Sequence, residues 1–182
     1  MTLVGGIGKE TIAIRRIGVD DHSNVRYLHI KSMTAQSVDA LSEAEIAAFV
    51  GFVRSPSYSD CLVAEEVYGA FIEDQLIGTA SWQLNGDDGR TARITSVFVD
   101  PVFGRLGIGR RLLAEVEARA FQSGFDQLGI SATINAVPFF ELLGYREASR
   151  GVKALGPNCS LPVAFLRKSV PRLARTVQPP AA

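Results

Sequence analysis

The residues best suited to chemistry lie in one glycine- and arginine-rich segment, Gly104-Arg105-Leu106-Gly107-Ile108-Gly109-Arg110-Arg111. An apolar run ending at Val99 precedes it and apolar residues at four-residue steps follow, which predicts a turn between a strand and a helix. Glycines let a ligand approach the main chain, and the unbonded N–H groups and dipole at a helix start favour anions. The main chain of residues 105–110 is therefore predicted to bind phosphate, with Arg105, Arg110 and Arg111 adding charge. A tight turn without a ligand is the alternative interpretation.

The segment differs from the two phosphate loops of nucleotide-binding proteins. No G-x-x-x-x-G-K-[ST] pattern occurs, which argues against a nucleoside-triphosphate loop. The dinucleotide pattern G-x-G-x-x-G fails because Leu112 stands at its third glycine. The glycines at positions 5, 6 and 8 precede a strand rather than follow one, and we interpret them as part of a flexible leader. A nucleotide-binding α/β domain, which would show affinity for ATP or NAD, is therefore disfavoured.

The elements that must position this segment alternate along the chain. Apolar periodicity and turn residues predict strands over 11–18, 61–72, 76–84, 91–99, 125–132, 145–150 and 161–168. They predict helices over 20–35, 42–55, 107–123 and 137–143, and a Gly/Pro-rich loop over 151–161. Ser42 and Glu45 form a capping-box pattern. The chain is therefore predicted to hold one α/β domain over 11–169, a flexible leader over 1–10 and a loose tail over 170–182.

A second cluster of informative residues follows about 25 positions later, in the segment Asn135-Ala136-Val137-Pro138-Phe139-Phe140-Glu141-Leu142-Leu143-Gly144-Tyr145. The two segments together resemble motifs A and B of the GNAT superfamily, the acyl-CoA-dependent N-acyltransferases. Motif A reads V-x-P, a few residues, then [QR]-x-x-G-x-[GA] and a helix. Motif B contains Asn, Ala, an F-[YF]-E stretch and a terminal G-[FY]. The resemblance covers about residues 11–169 and is weakest over the first two helices.

This resemblance implies a fold, a co-substrate and a binding site. The fold is a twisted, mixed and mostly antiparallel sheet of six or seven strands, parted in the middle and flanked by about four helices. The donor is acetyl-CoA, with no metal, and the acceptor is an amine of a small molecule or peptide. In the family, the motif A main chain holds the coenzyme A diphosphate and the preceding strand bonds the pantetheine arm. The corresponding residues are Val97, Phe98, Val99, Arg105, Leu106, Gly107, Ile108, Gly109 and Arg110, with Asn135 on the pantetheine chain and Phe140 packing nearby.

Three departures from the family pattern leave the catalytic residues unassigned. Gly104 replaces the [QR] of motif A, which puts a side-chain contact to phosphate in doubt. Phe140 stands where many members have a proton-donating tyrosine, and Arg93 lies near the position of a glutamate base in some members. Arginine stays protonated and cannot act as a base. Glu65 or Glu66, on opposite faces of a strand, are candidates for proton removal, although solvated carboxylates are the simpler interpretation.

Other side chains with reactive groups have simpler explanations. Tyr145 is a candidate for the missing acid, with a core role favoured. His22 and His29 are interpreted as surface or helix residues, and Cys61 as a buried residue at the start of a strand. Cys159 falls in the predicted loop over 151–161, which would border the acceptor site.

Composition narrows the class of protein further. The chain has 182 residues and a formal net charge of zero, and two cysteines without metal-ligand spacing. No apolar run approaches the ~18 residues that cross a bilayer. We therefore expect a cytoplasmic protein that binds neither nucleic acid nor membrane. Residues 1–89 hold 6 basic and 13 acidic side chains and residues 90–182 hold 13 and 6, so we expect an acidic half that tolerates a cationic acceptor.

Two functional hypotheses remain after these exclusions. The first is an N-acetyltransferase, and the second is a non-catalytic acyl-CoA-binding sensor, suggested by the absent tyrosine and glutamate. Dimers are common in the family, so a homodimer stays open, although no interface is readable in the sequence.

Overall fold

Seven strands form a single sheet in the computed structural model, which describes residues 12–84 and 89–169. The strands lie in the order β1-β2-β3-β4-β5-β7-β6. Their bounds are β1 Ile12–Arg16, β2 Glu66–Ile72, β3 Gln75–Leu84, β4 Thr91–Val99, β5 Gln127–Ala132, β6 Arg146–Gly156 and β7 Cys159–Ser169. Neighbours pair antiparallel except β4 and β5, which run parallel. The predicted mixed, mostly antiparallel sheet is confirmed.

Within the described ranges, five helices flank the sheet, where about four were expected. They are α1 His22–Gln36, α2 Glu43–Arg54, α3 Pro56–Ala64, α4 Ile108–Gln122 and α5 Val137–Glu141. The capping box before α2 is confirmed, since the Ser42 hydroxyl accepts from the Glu45 N–H and the Glu45 carboxylate accepts from the Ser42 N–H at 2.7 Å. The predicted leader over 1–10 and the tail over 170–182 lie outside the described residues.

The additional helix, α3, corrects the prediction of a strand beginning at Cys61. Pro56 begins this helix at its first turn, where proline is tolerated because the N–H it lacks would have no partner there. Tyr58 and Leu62, four residues apart, are the buried residues of α3. Pro56, which follows the end of α2, therefore begins α3, and β2 begins only at Glu66.

The β6–β7 hairpin corrects the prediction of a loop over 151–161. Most of that stretch pairs in the sheet, with Val152 opposite Pro162, and only residues 157–158 form the turn. Gly and Pro signal loops locally, but pairing across two strands supplies the hydrogen bonds that hold them extended. Cys159 consequently lies buried at the start of β7.

The two faces of the sheet carry separate apolar cores. The helix α4 contributes Ile108, Leu112 and Val116 to one core, and α1, α2 and α3 contribute to the other. Adjacent residues Val163 and Ala164 of β7 belong to opposite cores, as the alternation of a strand requires. The site described below opens on the side of α1, α2 and α3.

The described ranges contain neither a membrane-spanning helix nor a cluster of metal ligands. Each helix there is too short or too polar to cross a bilayer. Over the same ranges, no three His, Cys, Asp or Glu side chains come together as a metal site would require.

Candidate functional site: an anion-binding loop above a parted sheet

Asp100 fixes the corner between β4 and the loop that leads to α4. Its carboxylate accepts a hydrogen bond from the Val102 N–H at 3.0 Å and pairs with the Lys31 ammonium of α1 at 2.7 Å. Its own N–H donates to the carbonyl of Ile77 on β3 at 2.9 Å. The Asp100 side chain is 6% exposed, so these contacts fix the direction in which the following loop leaves the sheet.

The main chain of the loop leads into α4 with several N–H groups that have no acceptor within the helix. Arg105 and Gly107 both adopt left-handed backbone conformations, with φ of 66° and 77°. The first helical hydrogen bond of α4 runs from the Arg111 N–H to the Gly107 carbonyl at 3.1 Å. The N–H groups of Ile108, Gly109 and Arg110 therefore belong to the helix start, where no carbonyl of the helix can accept them. Together with the helix dipole, this geometry suits a phosphate group, as predicted.

The side chains around the loop divide into two groups. Arg105 and Arg110 are exposed, and Leu106 is 48% exposed. Ile108 is buried in the core under α4. Arg111 differs from the expectation, because its guanidinium donates to the Ile12 carbonyl of β1 at 3.2 Å. We conclude that Arg111 ties α4 to the sheet edge, while Arg105 and Arg110 remain available to solvent.

The sheet parts between β4 and β5, directly before this loop. The parallel pairing ends at Ile94 and Ile130, although β4 continues to Val99. The β3–β4 register shifts between Thr79 and Ser81, and Ser96 opposite this shift has a φ of 53°. Such a bulge bends a strand. A cavity of about 310 Å³ lies beneath the opening, with Thr95, Ser96, Val97 and Phe98 on one side and residues 130–133 on the other.

The three predicted pantetheine contacts on β4 do not face the same way. The Asp100 N–H donates to β3, so by strand alternation the main-chain N–H and carbonyl of Phe98 also point toward β3. The main-chain groups of Val97 and Val99 point toward the opening. The ring of Phe98 lies 4.3 Å from the His29 ring, between centroids. The Val99 carbonyl accepts from the Ser32 hydroxyl at 3.0 Å and from the Gln36 amide at 2.9 Å. Both lone pairs of this carbonyl oxygen are thus occupied. The main-chain groups that can still bond a ligand at the opening are the Val99 N–H and the N–H and carbonyl of Val97.

Asn135 and Phe140 lie on the β5 side of the opening. The Asn135 side-chain amide donates to the Gln36 carbonyl at 2.6 Å, so Gln36 connects the two sides of the parted sheet. Phe140 is 4% exposed, lines the cavity and packs edge-on against Phe139 and Tyr145. Phe140 is therefore a wall of the cavity, as expected of an aromatic residue without a proton to donate.

A buried chain of hydrogen bonds supports the bulge from below. The Thr79 hydroxyl donates its one proton to the Ser96 carbonyl at 2.8 Å, so its oxygen accepts from His29 Nε2 at 2.7 Å. Nε2 therefore carries the ring proton, and Nδ1 accepts from the Tyr58 hydroxyl. His29 lies in the helix α1 and is fully buried, so its interpretation as a helix residue is confirmed and the alternative of a surface residue is wrong. Burial lowers the pKa of His29 to about 3, so the ring is neutral.

Glu65 supplies the carboxylate of the cavity. It caps the end of α3 just before β2, and its carboxylate accepts from Ser81 at 2.5 Å, Ser96 at 3.2 Å and Gln83 at 3.4 Å. Glu65 lines the cavity, whereas Glu66 accepts from Tyr68, a residue of the core under α4. Of the two carboxylates that the sequence left as candidates, the structure places Glu65 at the cavity.

Two basic side chains also line the cavity. Arg93 lies on β4 where the strands still pair, opposite Gln83 and Gly129. Lys153 lies on β6, and its ammonium donates to the Ser131 hydroxyl at 3.1 Å. Burial lowers the pKa of Lys153, Arg93 lowers it further, and Glu65 raises it. Lys153 therefore interacts electrostatically with both Arg93 and Glu65 in the cavity.

The remaining reactive groups are poorly placed for chemistry. The Tyr145 hydroxyl donates to Glu117 at 2.8 Å on the α4 side, and burial raises its pKa. Tyr58 and Cys61 do line the cavity, but burial raises the pKa of both, the phenol strongly. Burial also raises the pKa of the Cys159 thiol. These groups keep their protons at neutral pH.

Sequence reasoning missed Tyr58 and Lys153 as cavity residues. Tyr58 belongs to α3, which begins at Pro56, immediately after the predicted helix over 42–55. Lys153 belongs to the β6–β7 hairpin, where the sequence predicts a loop over 151–161. The spacing of Val25, Leu28 and His29 places His29 on the apolar face of α1, and this signal favours its burial.

Comparison with known proteins agrees with this architecture. A family model described as an acetyltransferase (GNAT) domain matches residues 37–156. A GCN5-related N-acetyltransferase from Rhodopseudomonas palustris superposes with a TM-score of 0.78 at 22% identity, covering 91% of this chain and 100% of that one. The PaiA N-acetyltransferase of Thermoplasma acidophilum, solved with coenzyme A, has a TM-score of 0.71 at 16% identity, over 87% and 99%.

A larger protein also contains a related structure. The N-acetylglutamate synthase of Neisseria gonorrhoeae, solved with coenzyme A and N-acetyl-glutamate, gives a TM-score of 0.64 at 20% identity, covering 88% of this chain and 35% of that one. No curated protein matches the chain. Because the family model spans well over half of the sequence and the fold agrees, the chain belongs to the GNAT acetyltransferase family.

Proposed function

We propose that the chain transfers an acetyl group from acetyl-CoA to a primary amine of a small molecule or peptide, with both substrates bound at once. One observation carries the proposal: the main-chain anion site at residues 105–110 directly follows the strand whose Val97 and Phe98 line the cavity. A diphosphate on that loop would let an extended chain run along β4 into the opening. The coenzyme A held by the related PaiA enzyme supports this interpretation.

The residues present fit acetyl-CoA, which would supply an activated thioester. The N–H groups of residues 105–110 would hold the diphosphate, as in other helix-start anion sites. Val97, through its N–H and carbonyl, and Val99, through its N–H, would bond the pantetheine amides in the manner of an added strand. A Cβ at Gly109 would lie 3.3 Å from the Phe139 ring and 3.4 Å from a Val99 methyl group, so a larger residue here would press on both side chains.

Glu65 is the group we assign to proton removal. An amine reaches the cavity as an ammonium ion and must lose a proton before it attacks. Glu65 would take that proton, directly or through a water molecule, and pass it to solvent, which frees the nitrogen lone pair to form the N–C bond. The nitrogen would then lose a second proton by the same route. The C–S bond then breaks and its electron pair leaves with the sulfur. Main-chain N–H groups facing the opening, such as that of Val97, would stabilise the negative charge on the carbonyl oxygen.

The chain has no well-placed acid for the departing thiolate in the described residues. The Tyr58 hydroxyl donates a hydrogen bond to His29, and burial raises its pKa, so it is a weak acid. The hydrogen-bond chain beyond it ends on the Ser96 carbonyl, which cannot release a proton. We therefore expect the thiolate to leave unaided, since its basicity is modest.

The experiment is thiol release from acetyl-CoA with a panel of amines, comparing the wild-type protein with Glu65→Gln. Loss of the base should lower kcat by at least about 100-fold at pH 7, the lower end for general base catalysis. Glu66→Gln is the matched control, because the neighbouring carboxylate bonds Tyr68 away from the cavity, and it should retain activity. The defect of Glu65→Gln should shrink at high pH, where the amine is already neutral.

The alternative function is a non-catalytic acyl-CoA sensor of the same fold. Phe140, which lines the cavity where many family members have a proton-donating tyrosine, favours it. Saturable coenzyme A binding without turnover across a broad amine panel would establish the sensor and contradict the enzyme.

A further inference from the structure

The described side chains that line the cavity carry both signs of charge. Arg93 and Lys153 are basic and Glu65 is acidic. Tyr58 and Cys61 keep their protons and add no charge. A simple ammonium substrate would be attracted by Glu65 and repelled by the Lys153 ammonium of the same cavity. A substrate that also carries a negative group would gain an attraction to Lys153 in place of that repulsion.

Lys153 is the residue that most needs a negative partner. Its side chain is partly buried, and within residues 12–84 and 89–169 its ammonium makes a single hydrogen bond, to the neutral hydroxyl of Ser131. An ammonium has three N–H donors, and burying it without a counter-charge is unfavourable. The lowered pKa of Lys153 agrees with this position.

Part of the cavity wall is apolar. Phe49 and Phe52 of α2, Leu62 of α3 and Leu155 of β6 line the space on the side of α1, α2 and α3. The volume of about 310 Å³ is at the small end of the range for small-molecule sites. The site therefore combines one carboxylate, two cations and an apolar wall in a space suited to a small molecule.

We propose that the acceptor is a free amino acid with an apolar side chain, bound with its carboxylate at Lys153 and its amine at Glu65. This inference rests on the proposed function and names its substrate class. The amine of a peptide does not meet the requirement, because its first carboxyl group is an uncharged amide. The acidic N-terminal half had suggested a cationic acceptor, and the inference adds a negative group to that cation.

Binding of the reaction products tests the proposal without requiring turnover. The probes are N-acetyl-L-phenylalanine and N-acetyl-L-leucine, each paired with its isosteric carboxamide, titrated calorimetrically into the protein saturated with coenzyme A. The carboxylates should bind at least about 10-fold more tightly than the amides, the contribution of one charge-assisted hydrogen bond. Lys153→Met should abolish the preference, because methionine keeps the length and removes the charge.

The control is Arg150→Met, which removes a cation from the same strand. Arg150 is exposed and paired with Glu147, outside the cavity, so its variant should keep the preference for carboxylates. Equal binding of acid and amide in the wild-type protein, or no binding of either pair, would overturn the proposal. Failure of the proposed function is separate, since it would appear as a lack of coenzyme A binding or of thiol release with every amine.

Discussion

Placing a negative charge at Gly107 should weaken coenzyme A binding by roughly 10- to 100-fold. Gly107 is exposed, has a φ of 77°, and a Cβ there would meet no heavy atom within 4 Å. Asp and Asn are the side chains that tolerate this conformation best, and both have about the same shape. The pair Gly107→Asp and Gly107→Asn therefore separates charge from backbone strain.

The magnitude follows from Coulomb's law. Two unit charges 4 Å apart repel by about 1 kcal/mol in water and about 4 kcal/mol at an effective dielectric constant of 20. An exposed loop lies near the first value, and a diphosphate carries two charges, so we expect about 1.4 to 2.7 kcal/mol, which gives the stated range. Calorimetric titration of coenzyme A measures it. Equal affinities of the Asp and Asn variants would refute the assignment of the diphosphate to this loop.

Two further predictions concern the buried chain from Tyr58 to Ser96. The folded protein keeps His29 neutral down to about pH 3, while the unfolded chain protonates it below about pH 6.5. His29 therefore leaves the free energy of unfolding unchanged at neutral pH. Below about pH 6.5 it lowers the free energy of unfolding by about 1.4 kcal/mol per pH unit. Urea unfolding between pH 6 and 4 should therefore show a shallower loss for His29→Gln, and an unchanged slope would contradict the neutral buried ring. Tyr58→Phe removes the donor to His29 Nδ1 and should reduce the free energy of unfolding by about 1–3 kcal/mol, as expected for a buried acceptor left unbonded. It should leave kcat within about threefold, and a loss of turnover would instead identify Tyr58 as the acid.

The turn at residues 104–110 was predictable because its signals are local. The glycines, the preceding apolar strand and the four-residue repeat of α4 all fall within about 20 positions, and each has a direct conformational meaning. The resemblance to motifs A and B added a mixed, mostly antiparallel sheet that is parted in the middle. The direction of individual side chains was less accessible: Arg111 follows Arg110 directly, yet the rotation of α4 turns it toward Ile12 of β1.

That three charged groups meet in one cavity could not be predicted from the sequence. Glu65, Arg93 and Lys153 are distant along the chain and meet only through strand pairing and the fold of the β6–β7 hairpin. The prediction of a loop over 151–161 concealed Lys153, and the prediction of a strand at Cys61 concealed α3. Charge counted over each half of the chain averages over side chains that lie outside the cavity, so it does not describe the charges at the site.

The central claim is that the main chain of residues 105–110 holds a diphosphate while the thioester end enters the opening between β4 and β5. A crystal structure of the protein with acetyl-CoA tests this most directly. We predict diphosphate oxygens within about 3 Å of N–H groups in residues 105–110, and pantetheine amides bonded to Val97 and to the Val99 N–H. A diphosphate bound elsewhere, with the loop empty, would contradict the account.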